Sequence, residues 1–473
     1  MNRKNFLVHF GLAISVILIA AILGQVRRFE NSVSNDTSKG KSQTKACAFM
    51  RSSQEREPEA LVKFRADVTV NEIKKLTNRN NDLIADGIEA VNGLYAIDDL
   101  DGRTAQEVAD EYNRLSEVVL YAEPNQTIKL EPVNAEDNSS PLVGEDDDEN
   151  LPDDPYFSVQ WALHNIGQSN GKEKADIGAV KAWAKTKGST EVVIAVLDSG
   201  VDYTHSDLSA NMWSRPDSIA SYKDSSLGDI DDQNGYNAAD NNGDPMDDNG
   251  HGTHCAGIIG AEGNNALGVT GVNWDVQIMP LKFIGKGGFG TTANAIEAIN
   301  YVIDRKKAGV NVRVISASWG STSYSKALGD VIEKAGSEGI LFIAASGNSG
   351  QNADNNPHYP ASYKLPNVIS VAALDRNDNL TSFSNYGVKT VHIAAPGKDI
   401  MSTWLKENYR EASGTSMATP QVSGVAGLVL SVSPDITVET LRERILKSGD
   451  KIDSLNGKIQ NGVKLNAAKA VGE

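Results

Sequence analysis

Cysteine is nearly absent from this chain of 473 residues: there are two, Cys47 and Cys255, on either side of a long acidic stretch. Two such residues supply no disulfide framework, so stability has to come from a buried core and from bound ligands. Positive charge is also short. The 45 Lys and Arg are outnumbered by 62 Asp and Glu, for a formal net charge of -17. That balance argues against nucleic-acid phosphate as a partner and favours cations over polyanions as ligands. No internal repeat is present, and no His-Glu-x-x-His sequence offers the ligand pair of a zinc protease. What the chain has is length, enough for two or three folded units.

The chain opens with a short basic segment, MNRKN, followed over residues 6–24 by a nearly uninterrupted apolar run, the layout of an export signal. The run just reaches bilayer-spanning length and no clear Ala-x-Ala cleavage site follows it. Residues 1–30 are therefore either a removable signal peptide or a signal anchor, with residues 6–24 as the membrane tether. Residues 31–57 are polar and read as a spacer. Residues 58–133 become regular, with strand-like LVKF, GLYAI and VVLYAE segments, a helix near residues 70–76, and a second helix opened by Thr104 with Glu107 at capping-box spacing. A small α+β domain follows from that order. Residues 134–153 are acidic with Pro, Ser and Gly, and read as a solvated linker. In residues 154–473 the continuously apolar runs VVIAVLD, VQIMPLKF, VRVISAS, ILFIAAS and VISVAAL alternate with helical stretches, as in an α/β domain with a mainly parallel sheet covered on both faces.

Three segments of this last domain carry chemistry. VVIAVLDSG places Asp198 at the carboxyl end of an apolar strand, where open α/β sheets hold functional residues. DNGHGTHCAG puts His251 after a Gly-rich approach and ahead of a small-residue helix, so that its imidazole serves as a general base. GTSMATPQVSGVAGL puts Ser416 on a tight turn entering a helix small enough on all sides to be central, where the helix dipole favours developing negative charge. Cys255, four residues after His251, shares its helical face and packs behind the imidazole.

The chain order Asp, His, Ser is that of the subtilisins. DSGVDYTHSDL, HGTHCAG and GTSMATP resemble the three signature segments of the subtilase family, most closely its thermitase and proteinase K branches, over most of residues 154–471. The resemblance implies a three-layer subtilisin-like α/β fold and a serine endopeptidase with Asp198, His251 and Ser416 as its triad. It makes Asn348, in ILFIAASGNSG, the side-chain donor to the oxyanion. Ser318, Trp319 and Gly320 become the substrate-aligning strand and one wall of the specificity pocket. Ala344, Ala345, Ser346 and Gly347 become the other wall. His358 stands where that family lines the pocket floor, or else is a loop histidine.

The resemblance also implies structural calcium. Asp154, Asp207 and Asn265, with the carbonyls of Gly263, Leu267 and Val269, match the strong site of thermitase-like members. A second, weaker site is matched by Asp240, Asn242 and Asp244, although Asn237 and Asn242 stand where carboxylates are usual. Residues 58–133 are similar to subtilase inhibitor prodomains and have the ferredoxin-like pattern, with a tail that occupies the cleft and a maturation site within residues 134–153. The expected protein is thus an exported, self-processing zymogen, secreted or held at the cell envelope, acting on peptide or protein substrates and first inhibited by its own prodomain. The alternative is a binding protein that keeps a protease fold without its activity.

Overall fold

Strand, helix, strand, strand, helix, strand: this order opens the part of the chain that the computed structural model describes, residues 58–131 and 151–473. The elements are β1 (Ala60–Phe64), α1 (Val70–Arg79), β2 (Asp82–Gly87), β3 (Leu94–Asp99), α2 (Ala105–Asn113) and β4 (Val119–Pro124). The strands form an antiparallel sheet in the order β2-β3-β1-β4, the ferredoxin-like arrangement. Both helices begin with a complete capping box, Thr69 with Glu72 and Thr104 with Glu107, which satisfies two backbone donors that a helix start otherwise leaves bare. Phe64, Ile97, Val108 and Tyr112 join one small core between helices and sheet. Strand β2 has no counterpart in the sequence reading. Its DLIADG carries two Asp and a Gly, and it lies at the sheet edge with most residues only half covered.

The last described strand before position 151 is β5 (Thr127–Lys129). Beyond it the second domain is built on β6 (Gly188–Asp198), β7 (Tyr222–Asp224), β8 (Gly228–Ile230), β9 (Tyr236–Asn237), β10 (Asp275–Lys282), β11 (Phe289–Thr291), β12 (Val312–Ala317), β13 (Leu341–Ala345), β14 (Val368–Leu374), β15 (Ile393–Pro396), β16 (Ile400–Trp404), β17 (Asn408–Ala412), β18 (Asp450–Lys451) and β19 (Val463–Lys464). Nine of these make one sheet in the order β18-β19-β15-β14-β13-β12-β6-β10-β9. It is parallel except for the β18-β19 edge pair.

Alternate residues of β6 enter different cores: Ile194 and Val196 pack on one face, Val193, Ala195 and Leu197 on the other. All five are buried, and this two-sided burial is why the strand reads as an unbroken apolar run. Each fully buried Val, Leu or Ile contributes about 1.5–3 kcal/mol of transfer free energy. On the first face lie α3 (His251–Gly260) and α6 (Thr415–Val432), the latter buried from Thr415 to Leu430. The second face carries α4 (Thr292–Lys307) and α5 (Lys326–Ser337). Three layers result, as the sequence predicts. Residues 1–57 and 132–150, which include the export segment and most of the linker, lie outside the described residues; among those described, no helix is long and apolar enough to cross a membrane.

Candidate active site

Strand β6 ends at Asp198, and the loop after it runs against the start of α3. Gly252 permits that approach, since a Cβ there would lie 2.0 Å from the Gly200 carbonyl oxygen. Gly250, just before the helix, has φ +105°, a left-handed conformation that glycine adopts without strain. His251 is therefore delivered as the first helical residue. Its Nδ1 lies 2.7 Å from Asp198 Oδ1, which also accepts the Ser199 N–H at 2.7 Å. Both side chains are buried, and His251 Nε2 has no hydrogen-bond partner among the described residues. Burial pushes the imidazole pKa down, but the Asp198 carboxylate beside it more than offsets this and the net direction is up.

Asp247 holds this corner together, and the sequence reading missed it. Its Oδ1 accepts from Ser199 Oγ at 2.9 Å, Asn249 N at 2.9 Å and Gly250 N at 3.0 Å, and its Oδ2 from Thr253 N at 3.0 Å and Oγ1 at 2.6 Å. One carboxylate thus ties the Asp198 loop to the helix that carries His251. A buried Asp four residues before the histidine, facing a Thr in the first helical turn, was the available signal.

Ser416 is the second residue of α6. Pro420, four residues on, has no N–H, so the Ser416 carbonyl receives no helical bond from it. Ser318 Oγ donates to that carbonyl at 2.8 Å, and Ser416 Oγ in turn donates to the Ser318 carbonyl at 2.9 Å. A helix-breaking residue in the helix interior is therefore what locks the serine turn to the end of β12. Cys255 is buried beside it, its Sγ 3.6 Å from the Ser416 carbonyl oxygen and within 4.8 Å of the ligand atoms of Asp198 and His251. Burial pushes its thiol pKa well up, which keeps it neutral.

Asn348 faces the same turn. Its Oδ1 accepts from Thr415 N at 2.8 Å and Thr415 Oγ1 at 2.9 Å, and its Nδ2 lies beside Gly414. With the amide oxygen held by Thr415, the NH2 is left as the donor at the serine. Two glycines open the neighbouring slot. A Cβ on Gly320 would lie 2.2 Å from His358 Nε2, and one on Gly347 3.0 Å from His358 Cγ. The imidazole of His358 thus sits between the two predicted walls, and burial lowers its pKa to about 4, so it is neutral. Ala344 and Ala345 end β13, and Ser346 and Gly347 follow, Gly347 N–H donating to Thr415 Oγ1 at 3.2 Å. The Trp319 side chain turns away from the slot: Nε1 donates to the Leu197 carbonyl at 2.9 Å and the ring meets Phe283 edge-on.

The tail of the first domain runs into this cleft. Strand β5 pairs antiparallel with β11, Lys129 opposite Phe289 and Ile128 opposite Gly290, and Leu130 N–H donates to the Gly288 carbonyl at 2.8 Å. Ile128 and Leu130 are buried, and the Glu131 carboxylate accepts from the Asn348 backbone N–H. The pairing segment GGFGT was not among the residues the sequence reading selected. Its glycines signal close backbone approach, but strand character arises only when an extended peptide lies alongside.

The predicted cation residues fall into two groups. Asp154 and Asp207 are buried and brought together with Asn265: Asn265 Nδ2 donates to Asp207 Oδ1 at 3.0 Å, and Asp154 accepts from the N–H groups of Asn264 at 2.8 Å and Asn265 at 3.1 Å. Asp207 also takes the Val269 N–H at 2.9 Å. Burial, with the Asp154 charge adding to it, pushes the Asp207 carboxyl up to about 7. Two buried, repelling carboxylates served by neutral donors fit a hard divalent cation with oxygen ligands. The carbonyl residues Gly263 and Leu267 lie in the same loop, where Asn264 and Ala266 both adopt positive φ. Asp240, Asn242 and Asp244 are instead exposed, and each is engaged locally: Asp240 Oδ2 accepts from Asn237 Nδ2 at 3.0 Å, Asn242 Oδ1 from Asp244 N at 2.8 Å, and Asp244 Oδ1 from Met246 N at 3.1 Å.

A buried Asp-His pair, a serine at the start of a central helix and a neighbouring amide donor are the residue types that a Ser-His-Asp hydrolase uses. The Subtilase family model matches residues 189–464, and the chain belongs to that family. Thermitase of Thermoactinomyces vulgaris is 36% identical over 320 residues, 68% of this chain and 99% of that protein. A thermophilic serine proteinase of Bacillus sp. (strain AK1) is 38% identical over 290 residues, 61% of this chain, which spans 64% of that relative's length. The crystal structure of a cold adapted subtilisin-like serine proteinase matches with a TM-score of 0.52 at 28% identity, over 65% of this chain and 97% of that one.

Proposed function

We propose that this subtilase is an exported serine endopeptidase made as a self-processing zymogen. The observation that carries the reading is the buried 2.7 Å contact of His251 Nδ1 with Asp198, which leaves Nε2 without a partner among the described residues. For catalysis Ser416 Oγ leaves the Ser318 carbonyl and passes its proton to His251 Nε2 as it attacks the peptide carbonyl. Asn348 Nδ2 and the Ser416 N–H receive the oxyanion, and His251 then protonates the leaving amine. Water repeats the sequence on the acyl-enzyme. The β5-β11 pairing supports an inhibitory role for residues 58–133, because their tail lies where an extended substrate would bind. Cutting within residues 134–153 would release it. Export rests on the apolar segment at residues 6–24 and on the kinship with a cell wall-associated protease of Bacillus subtilis, 35% identical over 311 residues. Once freed of its first domain, the protein is expected to cut an unfolded protein at internal peptide bonds. Tight binding without new chain ends would favour the non-catalytic alternative.

The base must be neutral, so activity should rise with pH as His251 loses its proton, through a midpoint above the ordinary imidazole value of 6.5. Asp198→Asn removes the group that raises this pKa. The acid limb of kcat/KM in that variant is expected at lower pH, and an unmoved limb would contradict the pairing.

Calcium on Asp154, Asp207 and Asn265 would neutralise the two buried carboxylates. Calcium at a hundredfold excess over Kd adds about 2.7 kcal/mol of stability, roughly 4 °C in Tm for a domain of this size. Asp207→Asn is expected to lose most of that rise. An equal rise in variant and parent would place the stabilising calcium elsewhere.

A further inference from the structure

A second cluster of carboxylates shares no residue with the catalytic site, and both domains build it. Asp86 comes from β2 of the first domain, Asp224 from β7 and Glu297 from α4 of the second, each with an oxygen within 4.8 Å of the others. Asp224 and Glu297 are buried, and Asp86 is partly covered by the contact. Donors already reach Oδ1 of Asp86 and of Asp224 and both oxygens of Glu297, whose Oε2 accepts from Asn300 Nδ2 at 3.4 Å. Asp224 Oδ1 takes the N–H groups of Ser226 at 2.7 Å and Leu227 at 2.6 Å; Asp86 Oδ1 takes the Gly87 N–H at 2.7 Å; Glu297 Oε1 takes the Tyr222 hydroxyl at 2.8 Å. Ser226 Oγ bridges Asp86 and Asp224.

Two buried polar atoms at the cluster have no partner among the described residues: Asp224 Oδ2 and the hydroxyl of Tyr236. Tyr236 is fully buried, packs edge-on against Tyr222, and has Glu297, Asp224, Asp86 and Glu89 as the charges acting on its hydroxyl. Arg305, on the same helix as Glu297, is bonded to Asp232, Asp304 and the Ala220 carbonyl. Three carboxylates brought together out of water cannot all stay ionised without a counter-charge. Burial, with the neighbouring carboxylates adding to it, pushes Asp86 up to about 6 and Glu297 well above the usual range.

We propose that a divalent cation of the calcium class binds between the two domains on Asp86, Asp224 and Glu297, with Asp224 Oδ2 as an inward ligand and the Tyr236 hydroxyl meeting a water on the ion. Hard oxygen donors without nitrogen or sulfur are what calcium takes. The site needs both domains, so it exists only while the first is docked, and departure of Asp86 dissolves it. A cation there fastens the first domain, and withdrawing it loosens that domain. This last consequence rests on the inhibitory reading of residues 58–133; the site itself does not.

The test uses full-length Ser416→Ala protein, which keeps both domains joined. Calorimetric titration with calcium is expected to give one ion fewer per chain when Asp86→Asn and Glu297→Gln are added, while the site at Asp154 and Asp207 still fills. Equal stoichiometry in the two proteins, both folded by circular dichroism, overturns the proposal and leaves shared protons to neutralise the cluster. Should the added substitutions prevent folding, crystals of the Ser416→Ala protein soaked in a lanthanide decide the matter. An anomalous peak between Asp86, Asp224 and Glu297 supports the site, and a peak at Asp154 and Asp207 alone overturns it.

Discussion

Ser416→Ala is expected to abolish peptide hydrolysis and to leave the precursor uncut. Losing the corresponding serine in a subtilisin costs about 2 × 10⁶ in kcat, a magnitude carried over from that relative rather than derived for this chain. Without Oγ there is no nucleophile for His251 to activate, and what remains is binding plus the oxyanion donors. The variant removes one buried hydroxyl that donates to the Ser318 carbonyl, and the reciprocal bond from Ser318 Oγ stays. The fold should therefore survive, at a cost of about 1 kcal/mol. Mature chain produced by Ser416→Ala protein expressed alone would mean that another protease performs the cut.

Asn348→Ala is expected to lower kcat by about 10²–10³ with little change in KM, the effect of removing the equivalent donor in a subtilisin. An interaction made only with the oxyanion should appear in kcat, not in substrate binding. In the resting protein Asn348 Nδ2 lies beside Gly414 while Oδ1 is held by Thr415 N–H and hydroxyl. Asn348→Asp tests the same point differently, since it preserves the Thr415 bonds and replaces the donor with a charge that repels the oxyanion. Equal kcat in Asn348→Asp and the parent would remove Asn348 from the reaction.

The sheet was legible in the sequence because it is buried on both faces. A strand whose neighbouring residues enter two different cores has to be apolar at every position, and five such runs are five strands of the large sheet. The capping boxes at Thr69 and Thr104 are local chemistry and could be read at once for Thr104. Strand β2 escaped because an edge strand with one covered flank needs little apolar sequence. Family motifs pointed to Asp198, His251 and Ser416, and the structure brings Asp198 and His251 into contact while turning Ser416 Oγ to Ser318. Asp247 and the segment at Phe289–Thr291 were not found. Each acts through backbone or hydrogen bonds that form only when distant segments meet, Asp247 with Ser199 and Thr253, Phe289–Thr291 with β5. The acidic loop at Asp240, Asn242 and Asp244 shows the opposite. Its composition suggests a ligand set, while its side chains close local turns.

The catalytic role of Ser416 is tested most directly by treating the protein, freed of its first domain, with a fluorophosphonate and locating the adduct by mass spectrometry of its peptides. One adduct per chain is expected, on Ser416, forming faster as pH rises through the His251 midpoint and absent from Ser416→Ala. A folded protein that takes no label, or carries it on another residue, would contradict the assignment.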